Sequence, residues 1–335
     1  MTNTINVAFI GAGRMGLTHI KNLAGISSAR VVAVADVNLT AAEHAKNMAR
    51  AELATTDFEA VIYRADVDAV VIVTPTDTHA SLIQMAAKAG KAIWCEKPIA
   101  LTLEDTLKTI EVVNAAKVPC QIGFMRRFDP GYVEAKRLIE SGSLGKIESF
   151  RALGRDTYLP NPAYIRPSGG MFLDMSVHDF DLARFLIGEV EEVSAWGEVL
   201  VDEMFTQAED CDTSVCMLRF KSGVLGVVEN ARHSNWGYDI RTEIAGSIGK
   251  VVIEGASKTP ITHFSDTRGS SDLFDCFPDR FEHAYKLQLE AFFNSLQNGT
   301  NPSPGPQDAL ETLRLALAAR QSWREKRPVK ISEVV

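Results

Sequence analysis

Residues 11–16 read Gly-Ala-Gly-Arg-Met-Gly, three glycines at G-x-G-x-x-G spacing, directly behind the apolar run Val7-Ala8-Phe9-Ile10 and ahead of a helical stretch over 14–24. A buried strand that turns at once into a helix needs three positions without a Cβ. One makes the turn, one leaves the backbone open to a ligand, and one lets helix and strand close on each other. Gly11, Gly13 and Gly16 fill them, and the helix N-terminus behind them offers unpaired N–H groups to an anion. Asp36 follows a second apolar run, 31–35, at the distance where a carboxylate accepts hydrogen bonds from a ribose. The pattern reads as a dinucleotide site, with Gly11, Gly13, Arg14, Met15 and Gly16 at the pyrophosphate and Asp36 at the adenosine ribose. Asp36 repels a 2′-phosphate and Asn38 brings no positive charge to hold one, so NAD is expected over NADP.

The alternation continues. Strands over 69–73, 92–95 and 119–123 are interleaved with helices over 41–51, 78–89 and 103–116. Their continuous apolar runs fit a parallel, doubly wound sheet covered on both faces. Ligands bind such sheets at the carboxyl ends of the strands. That adds Thr74, Pro75, His79, Glu96 and Lys97 to the expected cofactor residues. A lysine at this edge is also placed to exchange protons near neutrality when its surroundings disfavour its charge.

After Phe124 the pattern changes. A helix over 130–141, a strand over 146–154 and a loop with Pro160, Pro162 and Pro167 lead to a helix over 172–186. Strands over 190–202, 212–220, 224–231, 240–245 and 250–254 follow, with turn residues at 222–223 and 247–249, and helices over 281–297 and 307–325 close the chain. This is a mostly antiparallel sheet with helices. A chain of 335 residues exceeds what one core usually fills, so two domains are expected: 1–123, binding NAD, and 124–335, binding substrate and making oligomer contacts.

Asp174 and His178 are spaced i, i+4 in the predicted helix over 172–186, and Asp181 lies a further turn along. On one helix face the carboxylate orients the imidazole and raises its basicity, as a base that takes an alcohol proton requires. The remaining circumference is apolar, through Phe172, Val177, Leu182, Phe185 and Leu186, so the polar face is expected to line a cleft. Arg184, three residues after Asp181, reads as its ion-pair partner.

Charge and cysteines exclude other classes. Lys and Arg number 35 against 43 Asp and Glu, a net charge of −8 without a cationic cluster, which argues against a nucleic-acid partner. Five scattered cysteines without a C-x-x-C pair read as free thiols of a cytoplasmic protein. No histidine spacing fits a metal site, and no apolar stretch approaches the roughly 20 residues that span a bilayer.

Gly11-Ala12-Gly13-Arg14-Met15-Gly16, Glu96-Lys97-Pro98, and Gly169-Gly170 followed by Asp174 and His178-Asp179-x-Asp181, in this order, resemble the Gfo/Idh/MocA oxidoreductase family over essentially the whole chain. Trp236-Gly237-Tyr238-Asp239-Ile240-Arg241 is similar to the Tyr-Gly-Tyr-Asp-x-Arg stretch of its inositol 2-dehydrogenase branch, with Trp for the first Tyr. The resemblance implies a Rossmann domain, then an α/β domain with an open, mostly antiparallel sheet that buries its outer face in oligomers; a homotetramer is expected. It implies a catalytic group of Lys97, Asp174 and His178, with Arg127, Asp156 and Tyr238 at substrate hydroxyls beside that group. Tyr285 either faces the same site or packs the last helices. The implied activity is NAD-dependent oxidation of a ring hydroxyl of a cyclic polyol, foremost an inositol (myo-, scyllo- or chiro-), to the ketone. His178 would be the base, oriented by Asp174, while Lys97 polarises the oxygen and relays the proton. An aldose or other sugar dehydrogenase, and a nicotinamide-binding regulator without chemistry, are the competing readings.

Overall fold

Six parallel strands build the first sheet of the computed structural model, which describes residues 4–334. They are β1 (Ile5–Ile10), β2 (Ala29–Ala35), β3 (Leu53–Thr55), β4 (Ala69–Ile72), β5 (Ala92–Glu96) and β6 (Cys120–Gly123), in the order β3-β2-β1-β4-β5-β6. Helices α1 (Arg14–Leu23), α2 (Leu39–Ala49), α3 (Phe58–Ile62), α4 (Thr76–Lys88) and α5 (Leu103–Ala116) make the crossovers. Strand order reverses between β1 and β4, so the chain leaves these neighbours in opposite directions and opens a crevice at their carboxyl ends. The glycine loop and Thr74 lie at those two ends. Asn38 caps α2 by accepting the Thr40 and Ala41 N–H groups, and Thr102 caps α5 through Asp105 N–H, so each helix starts where a side chain replaces missing backbone partners.

The chain divides into two compact units, Met1–Met125 with His283–Glu311, and Arg126–Glu282 with Thr312–Val335. Local pattern put everything after 123 in the second domain; the structure returns residues 283–311 to the first. The reason is apolar: Leu289, Phe292 and Phe293 are fully buried in one core with Val7, Phe9, Val34, Val71 and Trp94.

In the second unit, α6 (Pro130–Glu140) precedes β7 (Ile147–Arg155) and α7 (Pro162–Ser168). Next come α8 (Val177–Ile187), β8 (Val190–Glu198), α9 (Met204–Gln207), β9 (Thr213–Phe220), β10 (Leu225–Ala231), β11 (Asp239–Gly246) and β12 (Lys250–Ile253). A hairpin of β13 (His263–Ser265) and β14 (Arg268–Ser270), then α10 (Phe277–Arg280), α11 (Glu282–Asn298), α12 (Pro306–Glu325) and β15 (Val329–Lys330), complete the chain. The second sheet runs β12-β11-β7-β10-β9-β8-β15 and is antiparallel except where β7 and β10 pair in parallel, Ser149 opposite Leu225 through Arg155 opposite Ala231. Along β9, Ser214, Cys216, Leu218 and Phe220 are buried while Val215 and Met217 are exposed, the period-2 alternation of a sheet covered on one face. Helix α8 packs on β7 and β10.

Two expectations change. The strand expected to reach residue 202 ends at Glu198, because the Asp212 carboxylate accepts the N–H groups of Leu200, Val201 and Asp202 and curls the chain away from the ladder. The helix expected over 172–186 is broken: Met171–Met175 forms a π-helical turn, Ser176 joins, and regular α-helix begins at Val177. Gly169 and Gly170 enter it at φ of 90° and 79°, and both Asp210 carboxylate oxygens take the Met171 N–H. Asp174 therefore sits on the wider turn and His178 in the first turn of α8, not along one regular helix face.

Candidate functional site

In the first unit the three glycines have separate causes. A Cβ on Gly11, at φ +99°, would lie 2.4 Å from the Val73 carbonyl oxygen, and one on Gly16 would lie 2.1 Å from that of Gly11. Gly13 differs, since its Cβ would meet nothing within 4 Å. Packing thus demands the outer two glycines, while the middle one leaves open ground at the N-terminus of α1, where no side chain caps the helix. That cradle fits a dinucleotide pyrophosphate. Arg14 is exposed and Met15 half-buried beside it. Asp36 is fastened to the same loop, Oδ2 accepting the Ala12 N–H at 2.6 Å and Oδ1 the Asn38 N–H at 2.8 Å.

Thr74 accepts from the Thr78 hydroxyl at 2.6 Å, and Pro75 is the exposed residue before α4. His79 is 1 % exposed, with ring nitrogens 2.7 and 2.8 Å from the carbonyl oxygens of Pro98 and Thr74. Burial pushes its pKa down. It braces the loops after β4 and β5 through these two carbonyl groups. Glu96 reaches the His19 Nε2 at 2.8 Å with one oxygen and accepts the Lys97 N–H at 3.2 Å with the other. The Lys97 side chain is partly exposed. Tyr285 is buried and packs edge-on against His19, 5.5 Å between ring centroids.

In the second unit Asp174 and His178 are both partly exposed. Asp174 is held twice: Tyr164 donates its hydroxyl to Oδ1 at 3.0 Å, and Arg232 Nη2 donates to Oδ2 at 3.0 Å. The other Arg232 amino group lies 3.4 Å from Asp156 Oδ2. Arg232 is nearly buried. Burial works against its charge, but Asp174 and Asp156 more than offset that and raise its pKa. Asp156 titrates above the ordinary carboxylate range because burial, with the Asp174 charge as a smaller contribution, outweighs the pull of Arg232.

Arg127 donates from Nε and Nη2 to both oxygens of Asp181, at 2.8 and 2.7 Å, and its guanidinium lies over the Phe185 ring. Arg184 forks onto Glu189. The expected partner of Asp181 is thus supplied from Arg127. Tyr238 is buried edge-on to Phe281, its phenol pushed up by burial. Asp239 of the same stretch receives the Trp236 indole N–H and the Arg241 fork, which locks the turn. Arg232, Tyr164 and His19 were not foreseen. Arg232 follows the last residue of β10, and only the parallel pairing of β10 with β7 places it beside Asp156.

Residues 5–124 match the oxidoreductase family model with an NAD-binding Rossmann fold, and residues 132–252 match the GFO/IDH/MocA C-terminal domain. The chain belongs to the Gfo/Idh/MocA oxidoreductase family. Within this family it is 40% identical to a myo-inositol 2-dehydrogenase of Thermotoga maritima over 334 residues, 99% of this chain and all of the relative. It is 38% identical over 333 residues to a scyllo-inositol 2-dehydrogenase (NAD(+)) of Bacillus subtilis, covering 99% and 97% of the two chains. A solved structure of scyllo-inositol dehydrogenase from Lactobacillus casei, with bound NAD(H) and scyllo-inositol, superposes with a TM-score of 0.92 at 30% identity, covering 98% of this chain and all of the other. The parallel six-stranded sheet is the NAD-binding Rossmann fold of the family.

Proposed function

We propose that the protein is an NAD-dependent dehydrogenase that oxidises one ring hydroxyl of an inositol to the ketone. The observation that carries this reading is the polar cluster of the second unit. Partly exposed Asp174 and His178, with exposed Tyr164 and buried Arg232 on Asp174 and Asp156 beside Arg232, offer acceptors and donors to a ring bearing a hydroxyl on every carbon. The whole-chain similarity to myo- and scyllo-inositol dehydrogenases supports it. Gly13 and the N-terminus of α1 would hold the pyrophosphate of NAD and Asp36 its ribose, and the bound cofactor would supply the hydride acceptor for the ring C–H. His178 takes the hydroxyl proton, Asp174 orients His178, and Lys97 polarises the reacting oxygen and passes the proton on. Asp156 contacts a neighbouring hydroxyl.

The test is NAD reduction, followed at 340 nm, with myo-, scyllo- and chiro-inositol, glucose and no substrate. Turnover with an inositol well above glucose is expected, and glucose as the better substrate would replace this reading by a sugar dehydrogenase. NAD should exceed NADP in kcat/KM, and Asp36→Ala should shrink that ratio. Trp196, Met217 and Leu225 lie 58, 53 and 56 % exposed on the second sheet, a face that favours assembly. We propose a homotetramer, and a monomeric mass by light scattering at micromolar concentration would refute it.

A further inference from the structure

His19 lies in the second turn of α1, and its side chain is fully buried. Its ring packs edge-on against Trp94, 4.7 Å between centroids, and against Tyr285. Its Nε2 lies 2.8 Å from Glu96 Oε1. A carboxylate only accepts, so Nε2 carries the proton and donates it. Glu96 uses its other oxygen for the backbone N–H of Lys97, the next residue. Gly123 leaves room for this arrangement, since a Cβ there would lie 3.2 Å from Glu96 Oε2 and 3.0 Å from the Trp94 ring. A chain of two hydrogen bonds therefore runs from the helix behind the glycine loop to the backbone of Lys97.

We infer that His19 is a positioning residue for Lys97, acting through Glu96. The inference rests on the dehydrogenase reading above. Without the imidazole donor, one oxygen of a mostly buried carboxylate loses its partner, and burial makes that costly. Glu96 then turns toward another donor and releases the Lys97 N–H. Misplacement of a reacting group by about 1 Å costs on the order of a hundred-fold in rate, and supporting groups exist to prevent it.

Two variants separate positioning from packing. His19→Phe keeps a ring against Trp94 and Tyr285 and drops the donor. His19→Gln places an amide N–H near the former Nε2. Three readouts apply to each: hydrogen exchange at the Lys97 amide, NADH affinity by fluorescence, and kcat and KM with NAD and an inositol across pH. For His19→Phe, Lys97 exchange should quicken at least several-fold, kcat should fall roughly ten- to a hundred-fold with KM little changed, and NADH affinity should stay within about two-fold. His19→Gln should recover most of both losses. Unchanged Lys97 exchange and kcat in His19→Phe, or equal loss in both variants in step with melting temperature, would overturn the inference. Should His19→Phe not fold, Glu96→Gln takes its place. Its single carbonyl oxygen cannot serve both donors as the carboxylate does, and unchanged protection of Lys97 would likewise overturn the inference. If the wild type oxidises no inositol, the functional reading falls, while the exchange arm still judges the link from His19 to Lys97.

Discussion

Arg232→Met removes the guanidinium that joins Asp174 to Asp156 while keeping much of the side-chain volume. The arginine is 6 % exposed and donates to Asp174 at 3.0 Å and toward Asp156 at 3.4 Å. Its loss leaves two carboxylates facing each other in a largely buried place. Breaking a buried pair from one side costs about 3–5 kcal/mol, because the remaining charge is stranded. For a unit of this size that corresponds to a fall in melting temperature of roughly 10 °C. Part of the cost is relieved by protonation: Asp156 is already held above the ordinary carboxylate range by burial and by Asp174, and without Arg232 it rises further. The loss should therefore be greatest near neutrality and shrink as the pH falls. Arg232→Lys keeps one charge but cannot serve both carboxylates as the planar fork does, so it should fall between. Thermal melts from acid to neutral pH, with kcat for inositol oxidation, test the argument. Wild-type melting of Arg232→Met at neutral pH would refute the coupling of Arg232 to its two carboxylates, and a loss that does not vary with pH would refute its electrostatic origin.

Further outcomes follow from the geometry of each unit. Asp156→Asn should stabilise the protein at neutral pH: a carboxyl whose folded pKa is raised costs stability above that pKa, about 1.4 kcal/mol per unit, and the advantage should vanish as the pH falls through the ordinary carboxylate range; a variant that melts lower at neutral pH would contradict this. Gly11→Ala should destabilise the first unit by roughly 2–5 kcal/mol through positive φ and a backbone clash. Gly13→Ala should leave melting within about 0.5 kcal/mol yet weaken NADH binding about ten-fold or more, and equal melting losses would remove the distinction. His178→Ala should lower kcat by roughly 10²–10⁴-fold with NADH affinity nearly unchanged, and combined with Lys97→Ala it should lose less than the product of the single losses, as residues acting on one proton do; loss of NADH binding in step with activity would mark His178 as structural.

Short-range sterics and periodicity account for the features that could be read along the chain. Gly11, Gly13 and Gly16 behind an apolar strand could serve few purposes, and the structure shows two of them forced by contact and one left open. The strand and helix alternation up to residue 123 was equally legible, because a buried parallel strand advertises itself in its own residues. Other features depended on partners distant in sequence. His19 and Glu96 are 77 residues apart and Arg232 and Asp156 are 76 apart, and nothing local announces either pair. The return of 283–311 to the first unit needed the core of Val7, Phe9 and Trp94 to exist before Phe292 and Phe293 had somewhere to go. The π-turn under Asp174 depended on Asp210 arriving from elsewhere to hold Met171. Side-chain period is a property of neighbours along the chain, whereas strand register and buried charge pairing are settled only when distant segments meet, so the cluster of Asp156, Arg232 and Asp174 belongs to the tertiary structure.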